Sequence, residues 1–180
     1  MNETTITERL SDQRGLYERA PYLTTFRALG ACTRELARLT DALVDGVEAL
    51  RVTLDTPAPV VRRPPGRCLV QLGPVALTAV WLRSSPDSAA TGQLLINVWR
   101  GAVAPRMQQR SERPGQDRMP EPATLLWESV LIADAATEAE WSWAPEAADA
   151  PALDARALAT ACVEQLRLAY VDTLSPQEPA

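Results

Sequence analysis

The chain contains no histidine and no lysine; all eighteen of its basic residues are arginine. Each absence removes a chemistry. Without histidine no side chain has an unperturbed pKa near neutrality, so the usual general base and zinc's commonest nitrogen ligand are both missing. Without lysine there is neither a Schiff-base amine nor a P-loop lysine. The bias itself fits the coding preference of a GC-rich bacterial genome, as does the count of fifteen prolines.

Cysteine is scarce as well. Cys32, Cys68 and Cys162 are far apart, odd in number and form no CxxC pair. They are too few for a four-thiolate zinc site, and without histidine they lack the partner that activates a cysteine nucleophile. The expectation is that they pack as small apolar residues in a reducing cytosol. The Met1–Leu10 stretch is polar, lacking the basic start and apolar run of a secretory signal. No window approaches eighteen consecutive apolar residues, so no membrane span is expected. Neither GxGxxG nor GxxxxGK[ST] occurs. The acidic turn of Asp134, Glu138 and Glu140 lacks the spacing and the glycine of a calcium loop. No catalytic residue, cofactor or metal is therefore assigned, and the chain reads as a non-enzyme.

What the chain does have is an apolar stripe. Leu29, Leu36, Leu43 and Leu50 recur at seven-residue intervals, with Phe26, Thr33, Thr40, Val47 and Leu54 filling the other seam positions. That spacing puts one stripe on one side of a helix over residues 25–54, about 45 Å long. Thr33 and Thr40 are poor seam residues for an autonomous coiled coil. The four leucines are thus either a self-association interface or a stripe packed within the chain's own domain. Gly30 and Gly46 each cost this helix up to about 1 kcal/mol against alanine, and they let another element approach closely.

A capping box at Thr5-Ile6-Thr7-Glu8 predicts a short helix to about Arg19. Four prolines in the connector 55–66 end the long helix. Five strands follow, at Arg67–Leu72, Val75–Arg83, Gln93–Arg100, Leu125–Ala133 and Glu140–Ala144, and all five tryptophans lie in them. Short connections imply an antiparallel meander. A second amphipathic helix is predicted over Pro151–Leu174, with Leu158, Cys162, Leu166 and Ala169 on one stripe. The whole is a single α+β domain: a long N-terminal helix, a meander of four to five strands, and a C-terminal helix on the sheet.

The strands are apolar on both faces. Val75, Leu77, Ala79 and Trp81 alternate with Ala76, Thr78, Val80 and Leu82, and the next strands repeat the pattern. A half-solvated antiparallel sheet alternates apolar with polar. Both faces must then be covered by helices, by a second sheet or by another chain. Asn97, Glu128 and Ser129 are polar exceptions. A buried Glu128 would need a cation, for which Arg83 or Arg100 at neighbouring strand ends are candidates.

Charge is unevenly spread: residues 51–120 balance at +6 and residues 121–180 at −9. The two regions either face each other or mark a basic binding edge. Residues 102–122 form a long segment with no apolar period, carrying Arg106, Arg110, Arg113 and Arg118. Together with Arg62 and Arg63 these could clamp phosphates or carboxylates. A sequence pI near 4.9 argues against a dedicated nucleic-acid binder.

Three functions follow. The first is a non-catalytic protein–protein interaction or adaptor module in a homo-oligomer or larger assembly, motivated by surplus apolar surface. The second is anionic-ligand or nucleic-acid binding through the arginine segment. The third is a carboxylate enzyme, with Glu128 its least arbitrary residue.

Overall fold

The computed structural model describes residues 21–103, 122–146 and 150–174. A short 3-10 turn, Pro21–Thr24, leads into helix α1, Phe26–Leu54. Six strands follow: β1 Val60–Arg62, β2 Arg67–Leu72, β3 Val75–Arg83, β4 Gly92–Arg100, β5 Thr124–Ala135 and β6 Trp141–Pro145. Helix α2, Ala155–Leu174, completes the described chain. The predicted helix around Thr5–Arg19 lies outside the described residues.

Local chemistry sets the helix ends. The Thr25 hydroxyl accepts from the Ala28 N–H at 3.3 Å and caps α1. Asp55 turns into the left-handed region at φ 50°, where its N–H reaches back to Val52. The Asp154 carboxylate accepts from the Ala157 N–H at 2.7 Å and caps α2, which starts four residues beyond the predicted Pro151.

The strands form one antiparallel meander in the order β1 to β6. Six strands, not four to five, make the sheet. The addition is β1, inside the proline connector: Val60, Val61 and Arg62 pair with Gln71, Val70 and Leu69. Three residues between Pro59 and Pro64 show no periodicity, so sequence pattern could not reveal them. An edge strand tolerates such prolines because one row of its N–H groups needs no partner.

Both helices lie on the same side of this sheet. α2 packs on β3, β4 and β6, α1 packs on β2, and the helices pack on each other. Gly46 lies where they touch: an added Cβ would come within 2.9 Å of a Val163 methyl. The core gathers Leu39, Leu43 and Val47 from α1 and Leu158, Cys162 and Leu166 from α2. The sheet contributes Val70, Leu72, Val75, Leu77, Leu94, Ile96, Val98 and Leu131. Trp143 is fully buried there, edge-on to Trp81 at 5.6 Å and to Trp141 at 5.9 Å between ring centroids. Gly92 leaves room for the Trp81 ring, since a Cβ there would meet it at 2.0 Å.

The architecture is therefore two layers, helices on sheet. Of the two sheet faces expected to be covered, the described helices cover one.

Candidate protein-docking face

Register decides which residues share each face. Leu77, Val98 and Trp127 are paired neighbours on the helix side, as are Ala79, Ile96 and Ser129. The alternate residues form the opposite, outer face. It carries Leu69 of β2, Val80 and Leu82 of β3, Leu95 and Trp99 of β4, and Leu125, Val130 and Ile132 of β5. Neither helix packs there, and all eight of these side chains are partly or fully exposed. Leu82 and Leu125 are each 44% accessible. A helix-covered face of the same strands reaches 0% at Leu77, Ile96 and Val98.

The polar side chains of this outer face are largely partnered with one another. Trp99 Nε1 donates to the Thr78 hydroxyl at 3.0 Å. The Asn97 amide, oriented with its NH2 toward β5, donates to Glu128 Oε2 at 3.3 Å. At the Gly73 and Gly101 end, the Gln71 amide donates to three carbonyls and accepts from the Val103 N–H. Polar groups satisfied within the sheet make a face cheaper to remove from water, because fewer hydrogen bonds to solvent are lost.

Both edges of the sheet are blunted. Pro57, Pro59, Pro64 and Pro65 flank β1. β6 ends at Pro145, and Trp143 exchanges two backbone hydrogen bonds with Leu153 at 2.8 and 2.9 Å. Strand-to-strand extension is disfavoured at such edges.

The residues singled out from sequence fall in several places. Leu43 and Leu50 are buried inside the chain, while Leu29 and Leu36 are half-buried against its core. Outward on α1 stand Arg27, Arg34, Arg38, Asp41 and Asp45, a polar flank. Arg62 is exposed on β1, and Arg63 pairs with Asp41 of α1. Arg106, Arg110, Arg113 and Arg118 lie outside the described residues.

Glu128 is exposed on the outer face, so it needs no buried cation. Neither suggested partner reaches it. Arg100 pairs with Asp172 of α2 at 2.8 Å, and Arg83 donates to the Pro86 carbonyl at 3.2 Å. Both arginines sit on the helix side, Arg83 of β3 and Arg100 of β4, whereas Glu128 shares the outer side with Asn97, which is why alternation separates them from it. Glu138 of the acidic turn pairs with Arg34.

Clefts open on the helix side. A groove of about 920 Å³ between the helices is lined by Glu35, Asp41, Asp45, Asp154 and Glu164 beside Arg38 and Arg156. Within it Glu35 is held by Arg38, and Glu164 is held by Arg167 just outside. That arginine keeps the Glu164 carboxyl below its ordinary range. A second cleft of about 460 Å³ lies between α1 and β2–β3, with Leu29, Cys32, Leu36 and Trp81 within and Arg63 and Arg83 among its lining. Glu128 lines neither.

All three cysteines are buried and unpaired. Burial pushes the Cys32 and Cys162 thiols up to about 12, outweighing the opposite pull of Arg83 on Cys32, and raises Cys68 as well. Held as protonated thiols they are poor nucleophiles. Among the described residues no group of three or more Cys, Asp or Glu is placed to hold a metal ion. No helix among them is long and apolar enough to cross a membrane.

Compared with known proteins, the chain matches no family model, no curated protein and no solved structure. The outer face is therefore read from its own side chains. Sequence reasoning had identified both apolar strand faces but not this one as the site. The available signal was the pair of alternating sets in each strand, which differ little in β3 and β5 but clearly in β4, where Gln93, Leu95, Asn97 and Trp99 alternate with Leu94, Ile96 and Val98.

Proposed function

We propose that this chain is a non-catalytic protein–protein interaction module, working in a homo-oligomer or a larger assembly, and that the outer sheet face is its contact surface. One observation carries the reading: among the described residues both helices lie on one side of the sheet, and no described element packs over Leu69, Val80, Leu82, Leu95, Leu125, Val130 and Ile132. A contiguous apolar patch of several hundred Å² on a chain surface is characteristic of an interaction site. Interface cores are likewise poor in charge and rich in aromatic and aliphatic side chains, as this face is around Leu95 and Trp99. The buried, protonated thiols and the absence of histidine and lysine favour the non-catalytic half of the proposal.

The test combines light scattering after size exclusion with binding of an apolar fluorescent dye. The expected result is either a particle larger than one 19.6 kDa chain or a monomer that binds dye at this face. A monomer that binds no dye would sink the reading.

A further inference from the structure

Resting on that reading, we propose that the layer missing from the outer face is a second copy of this chain, packed face to face about a two-fold axis that runs along β4 through Leu95. The argument comes from how charge is laid out across the strands. Register aligns one row of the face as Arg67, Val80, Leu95, Val130 and Glu146, the last joined to Val130 through its backbone N–H. The neighbouring row reads Arg62, Leu69, Thr78, Asn97 and Glu128. Each row begins basic, is uncharged in its middle and ends acidic.

The Arg67–Glu146 row is complementary to itself reversed about β4, since Arg67 on β2 and Glu146 beyond β5 lie two strands to either side of Leu95; Arg62, three strands out on β1, meets no described strand. Rotation about an axis parallel to the strands turns the β1–β2 side of one copy over the β5–β6 side of the other. Leu95 then lies on Leu95, Val80 on the second copy's Val130, and Arg67 on the second copy's Glu146, each of the last two contacts occurring twice. In the next row Asn97 meets Asn97 and Thr78 meets the second copy's Glu128. One row further, Leu82 meets the second copy's Ile132, because Leu82, Gln93 and Ile132 are aligned. An axis across the strands would instead stack arginine on arginine and glutamate on glutamate, so the charges choose between the two orientations.

Size agrees. Six strands at a spacing of about 4.8 Å, the longer ones about 30 Å long, give a face of roughly 700 Å², close to the ~800 Å² per partner of a standard interface. Aligned sheets pack with a rotation of about 30°, which moves the row ends about 5 Å apart along the strand, within the reach of an arginine and a glutamate. Residues near the axis stay in contact. Gln93 already holds the Glu146 carboxylate at 2.8 Å, presenting it at the row's end.

The experiment is sedimentation of the full chain from nanomolar to high micromolar concentration, with three variants. The wild type is expected to pass from monomer to dimer. Leu95→Asp, which puts two carboxylates on the axis, is expected to weaken the dimer roughly 100-fold while leaving the far-ultraviolet spectrum and melting of the monomer in place. Arg67→Glu and Glu146→Arg are each expected to weaken it about 10-fold, since each sets like charges opposite one another twice. Mixed in equal amounts, those two variants are expected to regain wild-type affinity as a heterodimer, because both edge contacts become opposite pairs again.

A wild type that stays monomeric, or charge variants that mixing does not rescue, would overturn the self-pairing. Dye binding separates that failure from failure of the broader reading. A monomer whose dye signal falls in Leu95→Asp abandons only the second copy as occupant, whereas a monomer without dye signal abandons both.

Discussion

The two faces of one sheet are made by the same strands from adjacent residues, yet they meet different surroundings. On the helix side, Leu77, Leu94, Ile96 and Val98 are essentially inaccessible. On the outer side, their immediate neighbours Thr78, Leu95, Asn97 and Trp99 remain partly exposed. In β3 and β5 the two sets are similar in hydropathy, whereas in β4 the outer Gln93, Leu95, Asn97 and Trp99 are clearly more polar than Leu94, Ile96 and Val98; in depth the faces differ throughout. Strand composition therefore reports how much apolar surface a sheet has to hide, and helix placement decides which part of it is hidden by the same chain. The covered face stabilises the fold, and the outer one, which no described element covers, is the face we propose for association.

The comparison breaks most sharply under truncation. Leu77→Ala removes packing from a fully enclosed site and is expected to cost about 3 kcal/mol in denaturant unfolding of the monomer. Leu95→Ala, one strand away on the other face, is expected to cost less than about 1 kcal/mol in the same assay. Equal losses would mean that both faces are enclosed within one chain.

Gly92→Ala probes the covered side through shape. Its Cβ would enter the Trp81 ring, so an expected loss of about 2 kcal/mol should accompany a changed near-ultraviolet tryptophan spectrum. The same change at Gly30, where an added Cβ has only the end of the Arg34 side chain within 4 Å at 3.5 Å, is expected to be neutral or mildly stabilising.

A third contrast uses pH. Every cysteine lies in the core, and burial keeps Cys32 and Cys162 protonated to about 12 against an ordinary 9.0. Above pH 9 the unfolded chain releases thiol protons that the folded chain retains, so stability falls as pH rises. Below pH 9 this contribution is fully present. The slope is expected to be about 1.4 kcal/mol per pH unit for each thiol until the folded value is reached. Equilibrium unfolding between pH 9 and 11 should show it, and the Cys32→Ala, Cys162→Ala double variant should flatten it.

The smallest effect belongs to Glu128. On the outer face with an amide neighbour, Glu128→Gln is expected to change monomer stability by less than about 0.5 kcal/mol. A large loss in thermal unfolding would place that carboxylate in an enclosed environment.

Much of this fold was legible in the chain. The α1 period, the five longer strands to within a few residues and the α2 stripe all follow from spacing, because 3.6- and 2-residue periods mark long elements clearly. β1 did not, since three residues between prolines carry no period. For the candidate site, Leu95, Val130 and Ile132 were recognisable as members of one strand face. Their exposure was not, and the leucine stripe at Leu43 and Leu50, a candidate for contact with another chain, is spent inside the core. Glu128 looked anomalous in sequence because a carboxylate among apolar neighbours suggests burial; on an open face it is ordinary.

What the amino-acid sequence determined by itself was the amount and periodicity of apolar surface and the chemistries left out by missing histidine and lysine. Those are properties of side chains and their spacing, fixed before any folding. Tertiary structure alone decided that α1 and α2 share one side of the sheet. Strand alternation defines two faces but does not say how many helices share one, and the packing of the helices on each other, close at Gly46 and Val163, puts both on the same one.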